Sequence, residues 1–157
     1  LDLQFEELWA DEVGFCVKWM NSNVKRADAQ RAVLSSSQHS GDGVPLTIQI
    51  FLRFDNGGFA SIHINAASKY NIFKRYGADR QHYVESDVLN REIRIGEMNE
   101  QNRVFFQREK FDPSETAPLA LHYFIKAIKM KQKSLFNGFD LLQLNRTLQQ
   151  VRNQLEE

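Results

Sequence analysis

Two runs of alternating residues, set apart by four turn formers, constrain this chain more than anything else in it. VPLTIQIFLRF, residues 44 to 54, alternates around Ile48, Ile50 and Leu52, and FASIHINA, residues 59 to 66, sets Ala60, Ile62, Ile64 and Ala66 against Phe59, Ser61, His63 and Asn65. Period-two patterning in β-branched and aromatic residues marks half-buried strands. DNGG at 55 to 58 supplies the turn, so the two runs are expected to form a hairpin.

Strands are also expected over KYNIFKRY (69 to 76), over NRVFFQREKF (102 to 111) and over the apolar run VGFCVKWM (13 to 20). A charged stretch after residue 80 reads as a loop with one short strand near Ile93 to Ile95, and residues 21 to 43 read as a short helix or irregular loop ending in a Gly-rich turn. Residues 1 to 12 hold five acids and no base, which suits an exposed leader into the first strand.

From Ser114 the period changes. Apolar residues at 121, 124, 125 and 128 follow an early proline, and Leu141, Leu144, Leu148, Val151 and Leu155 recur at spacings of three and four. Both stretches are expected to be helical; the second stripe fits either packing on its own domain or a dimer seam. The expected class is therefore α+β, a mainly β front with C-terminal helices, divided into residues 1–112 and a helical extension, 113–157.

Lys plus Arg and Asp plus Glu both total 20, so bulk charge selects no partner. Cys16 is the one cysteine, which excludes an intrachain disulfide and fits a reducing compartment. No apolar run nears the roughly 18 to 20 residues of a membrane helix, so a soluble protein without membrane contact is expected. Leu1 in place of Met suggests a fragment or a processed chain. A Gly-rich phosphate loop, paired zinc cysteines, a His-Glu helix pattern and a Gly-x-Ser-x-Gly elbow are all missing from the sequence. His39, His63, His82 and His122 are scattered, and neither an enzyme, a metal nor a cofactor is expected.

Cations do cluster. Lys69, Lys74, Arg75 and Arg80 stand against Asp79 alone, and Lys126, Lys129, Lys131 and Lys133 have no acid among them. A strand delivering Lys74 and Arg75 to a turn at Gly77 could grip phosphates, with Arg80 forking onto a guanine edge; a solvated strand end fits equally well.

SGDGVPLTIQI followed by HINAASKYNIFKRYGADR resembles the DNA-binding domain of the Grainyhead/LSF family of transcription factors, through Gly43, Val44, Pro45, Gln49, Ile50, His63, Ala67, Ser68, Ile72, Phe73, Lys74 and Gly77 to Arg80. REKFDPSET and SLFNGFDLLQL are similar to later segments of the LSF branch, in the same order. The resemblance implies an immunoglobulin-like β-sandwich, complete or partial within this chain, in a nuclear protein that binds double-stranded DNA as a homo-oligomer or with a family partner. By that analogy Gly77 and Arg80 read bases, while Lys74 and Arg75 meet the backbone. QHYVESDV departs from the family's basic continuation, which leaves a protein-contact relative as the alternative.

Overall fold

The computed structural model describes residues 3–33, 46–65, 71–79, 82–99, 101, 103–132 and 138–156. In chain order the elements are α1 (Leu3–Met20), β1 (Val24–Val33), β2 (Leu46–Phe54), β3 (Phe59–Asn65), β4 (Lys74–Ala78), β5 (His82–Asp87), β6 (Glu92–Met98), β7 (Val104–Lys110), α2 (Thr116–Lys129) and α3 (Gly138–Glu156), with a 3-10 turn over Pro113–Glu115 before α2. They fall into two compact units: residues 1–68 with 133–157, and residues 69–132.

In the first unit β1, β2 and β3 form an antiparallel sheet in that order. The hairpin is present: Gln49 lies opposite His63 and Ile50 opposite Ile62. At its turn Gly57 has φ 84°, a value that glycine adopts without steric cost, and the Gly58 amide donates to Asn56 Oδ1 at 3.0 Å. Alternation then divides the sheet into two faces. Ala27, Ala29, Ile48, Ile50, Leu52, Phe54 and Ile62 form a buried layer with Trp9, Val13 and Val17 of α1 and Val151 and Leu155 of α3. The opposite face carries Gln30, Gln49 and His63 in one row and Arg26, Arg53 and Phe59 in another.

VGFCVKWM is thus the second half of a helix and not a strand. Trp9, Val13 and Val17 recur every four residues and are buried, while Glu7 and Asp11 are exposed, so the acidic leader and the apolar run are two faces of one amphipathic element. β1 arises where a loop or short helix was expected, because its inward positions are Ala27 and Ala29, small residues that carry little strand signal. In α3 the stripe runs from exposed Leu141 through half-buried Leu144 and Leu148 to fully buried Val151 and Leu155. Its inner part packs on its own unit. Gln154 fixes the helix to the open edge of β1, accepting from the Ala29 amide and donating through Nε2 to the Ala27 carbonyl at 3.1 Å.

In the second unit β4, β5, β6 and β7 form an antiparallel meander. The charged stretch after residue 80 therefore holds two strands, β5 and β6, in place of one short one. Among the described residues this unit fully buries no hydrophobic side chain, and none of α2 is buried.

The expected immunoglobulin-like sandwich is not what forms. The described residues form two small antiparallel sheets and three helices. The apolar face of the three-stranded sheet is covered by α1 and α3, where a sandwich would place a second sheet.

Candidate functional site

The face of the four-stranded sheet that carries Lys74 gathers a linked set of polar side chains. The register builds it in rows. Lys74, Asp87, Glu92 and Lys110 lie abreast across the four strands; Tyr76, Glu85, Arg94 and Arg108 form the next row, and Ala78, Tyr83, Gly96 and Phe106 the third. Because side chains alternate between faces, Tyr83, Glu85 and Asp87 of β5 all point to one side.

Lys74 Nζ reaches Glu85 Oε1 at 3.0 Å and Asp87 Oδ2 at 3.2 Å. Tyr83 donates its hydroxyl to the other Glu85 oxygen at 3.0 Å. These bonds hold Glu85 below the usual carboxylate range, first through Lys74 and then through Tyr83. Asp87 is also held low, first by hydrogen bonds from the side chain and backbone of Asn90, with Lys74 adding to them. Lys74 is raised in turn, first by Glu85 and then by Asp87. Burial and then the bond to Glu85 push the Tyr83 phenol up, so it serves as a donor and not as a base.

Beside this clamp sits an aromatic corner. The Arg94 guanidinium lies 4.0 Å from the Phe106 ring centroid, and Tyr83 meets the same ring edge-on at 6.3 Å. A cation over an aromatic face and an edge-to-face ring pair each contribute about 1 kcal/mol. Arg94 Nε is enclosed with no hydrogen-bond partner among the described residues. The ensemble is a platform of fixed acceptors, the Tyr83 phenol, the Arg94 guanidinium and the Phe106 ring, with Tyr76 and Arg108 in the same row as Arg94.

The sequence-predicted site separates in the structure. Lys74 joins the clamp just described, where two carboxylates neutralise it. Arg75 alternates to the opposite face, and its guanidinium lies 4.6 Å from the Phe73 ring centroid. Gly77 lies within the ladder opposite Val84 and forms no turn. Arg80 lies outside the described residues. Asp79 closes the turn instead, accepting the His82 amide at 2.7 Å and holding the imidazole at 2.9 Å, which raises the His82 pKa. Of the second cationic run, Lys126, Lys129 and Lys131 are exposed at the end of α2, and Lys133 lies outside the described residues. Tyr83, Glu85, Asp87, Arg94 and Phe106 are not among the sequence-predicted residues; their signal is the i, i+2, i+4 spacing of the first three, which lies within a charged stretch.

Among the described residues, the first unit also holds a groove and a cavity. A groove of about 880 Å³ on the outer face of its sheet is lined by Lys25, Arg26, Phe51, Arg53 and Phe59 among others. A smaller cavity, about 200 Å³, separates the end of α1 from the start of α3, where Lys18 and Asp140 approach to 3.5 Å. Among the described residues no three His, Cys, Asp or Glu side chains converge as metal ligands would.

No protein-family model and no curated protein matches the chain. Solved structures do. The chain is similar to UDP-N-acetylglucosamine 3-dehydrogenase GnnA from Acidithiobacillus ferrooxidans in two crystal forms, with TM-scores of 0.67 and 0.66 at 14% identity, over 94% of this chain and 45% of that one. It is also similar to a dehydrogenase from Chromobacterium violaceum, with a TM-score of 0.65 at 16% identity, over 94% of this chain and 44% of the other. The chain spans less than half the length of these proteins. Their likeness corrects the expected DNA-binding module of a transcription factor and the expectation of no enzyme: the fold is one found in part of dehydrogenase chains.

Proposed function

We propose that this chain is the antiparallel-sheet half of an oxidoreductase acting on a sugar nucleotide or a similar hydroxylated, phosphate-bearing substrate. One observation supports the reading above the others: 94% of the chain follows the backbone of dehydrogenases, one of which is named for its action on UDP-N-acetylglucosamine. The platform suits such a ligand. Glu85 and Asp87 offer acceptors to hydroxyl groups, Arg94 offers a donor fork to an anion, and the Tyr83 and Phe106 rings offer apolar edges to a sugar face.

Oxidation of an alcohol needs an acceptor for the hydride, and dehydrogenases hold that acceptor as a bound cofactor. The described residues do not fit a dinucleotide. Each strand pair among them is antiparallel, whereas the dinucleotide fold is a parallel βαβ unit with a Gly-rich turn at a helix N-terminus. Its binding is assigned to a doubly wound half outside the described residues.

The test follows reduction of NAD⁺ or NADP⁺ by the protein in its native assembly, against a panel of sugar nucleotides that includes UDP-N-acetylglucosamine. Turnover with at least one of them is expected, slowed by Glu85→Gln mainly through KM. A native assembly that reduces neither dinucleotide with any of the panel overturns the reading.

A further inference from the structure

α2 is a helix without an inside. It spans 14 residues, none of them buried, yet Leu121, Phe124, Ile125 and Ile128 are 59, 56, 42 and 62% exposed. Their spacing of three, one and three residues puts all four on one stripe about 100° wide, the pattern of a helix face that packs on a neighbour. At on the order of 100 Å² each, the four expose roughly 400 Å², within the range of the largest apolar patch a monomer normally leaves open. The β4–β7 sheet of the same unit is no better covered: Val84, Ile93 and Ile95 are only half-buried, and all of β7 is exposed. A sheet and helix with no closed core of their own lack the burial that independent stability needs.

Resting on the reading above, we infer that the Leu121–Ile128 stripe of α2 is the docking surface for the dinucleotide-binding half. The comparison favours this occupant. More than half of each dehydrogenase chain lies beyond the part that this chain matches, and the described residues lack the dinucleotide fold which that remainder has to supply. A stripe of this area is also the right order for one side of a contact between domains, which bury about 600–1,500 Å² in all. Lys126 and Lys129 flank the apolar stripe on one side and carry the polar rim that such contacts have.

Hydrogen exchange read on peptides of residues 113–130 tests the inference, comparing the protein in its native assembly with the 157-residue chain alone at two concentrations. In the native assembly the α2 amides are expected to exchange at least about tenfold more slowly and to slow further when NADH is added; in the lone chain they exchange fast at both concentrations. Protection in the lone chain at both concentrations means that α2 packs on its own chain, and protection that grows with concentration means a second copy. Either result overturns the inference, as does a native assembly in which α2 stays fast. Leu121→Glu with Ile128→Glu gives an independent reading, since both residues are exposed in the lone chain. Its melting is expected to stay unchanged while the native assembly loses NADH affinity at least about tenfold; equal affinity sinks the assignment. A protein that shows NADH-dependent protection of α2 but oxidises no sugar nucleotide loses only the substrate reading, and one that oxidises a sugar nucleotide with α2 unprotected loses only the docking surface.

Discussion

The Phe106 ring covers the backbone of Gly96 so closely that a Cβ built on Gly96 would stand 2.8 Å from the ring's Cε1. The two residues face each other across β6 and β7, and Gly96 is buried under a ring that Arg94 and Tyr83 hold in place. An alanine at 96 must displace the ring and both of its contacts. Phe106 is 49% exposed and its ring can turn outward, so Gly96→Ala is expected to cost about 1 kcal/mol, the order of the ring contacts given up, and the cost should largely vanish in a Phe106→Ala background. Denaturant melts of the two single variants and the double variant give the coupling; additive costs would show that the ring does not set the limit.

Lys74, Glu85 and Asp87 make stability depend on pH at both extremes. The folded pKa values of Glu85 and Asp87 lie below their ordinary values of 4.5 and 3.8, so their contribution is present above that range and is lost as pH falls through the lowered values. Lys74 lies above its ordinary 10.5, so its contribution is complete below that pH and is lost as pH rises through the raised value. The contribution of this clamp is expected to be flat from about pH 5 to pH 10, with an acid limb that Lys74→Met makes shallower. His82, raised by Asp79, adds a separate loss as pH rises above its ordinary 6.5 through the raised value. The groups of the clamp touch solvent, so 1 M salt should flatten the acid limb. Thermal melts across pH with and without salt check both statements, and an acid limb that Lys74→Met leaves unaltered would refute the pairing.

Legibility in the sequence followed the length scale of the signal. The hairpin of β2 and β3 was readable because Ile48, Ile50, Leu52 and Ile62 alternate within a few residues of one another and Asp55 to Gly58 can only turn. α2 and α3 were readable from their 3.6-residue period. α1 was not, because its apolar residues after Val13 are dense enough to pass for a strand and Trp9 lies among acids. The platform stayed hidden for a different reason: Lys74 acquires its meaning from Glu85 and Asp87, 11 and 13 positions later, and only the register of β4 on β5 brings them together. Read along the chain, Lys74 and Arg75 are one basic pair. On the sheet they face opposite ways, and the local charge that suggested a phosphate grip is neutralised on one face.

Gln154 is the polar link between α3 and the edge of β1. Its amide both accepts from the Ala29 N–H and donates to the Ala27 carbonyl, satisfying two backbone groups on an edge that faces no further strand among the described residues. Gln154→Ala leaves both groups part-buried without that partner and is expected to cost about 1 to 3 kcal/mol. Exchange of the Ala29 amide should quicken more than that of Ile50 on the central strand, since only the edge is uncovered. Equal quickening of the two amides would mean that Gln154 acts through global stability alone.

Substitutions along the α3 stripe should grade with depth, which distinguishes a helix seated on its own sheet from a seam between copies. Leu155 and Val151 are fully buried against the β1–β3 layer, Leu148 and Leu144 are half-buried, and Leu141 is exposed. Leu155→Ala opens a cavity in that layer and is expected to cost about 2 to 5 kcal/mol, whereas Leu141→Ala should stay within about 0.5 kcal/mol. Chemical denaturation at two protein concentrations provides the check. Midpoints that do not move with concentration, with Leu155→Ala far below Leu141→Ala, fit burial within one chain. Midpoints that rise with concentration, and fall equally for the two variants, would place the whole stripe between chains.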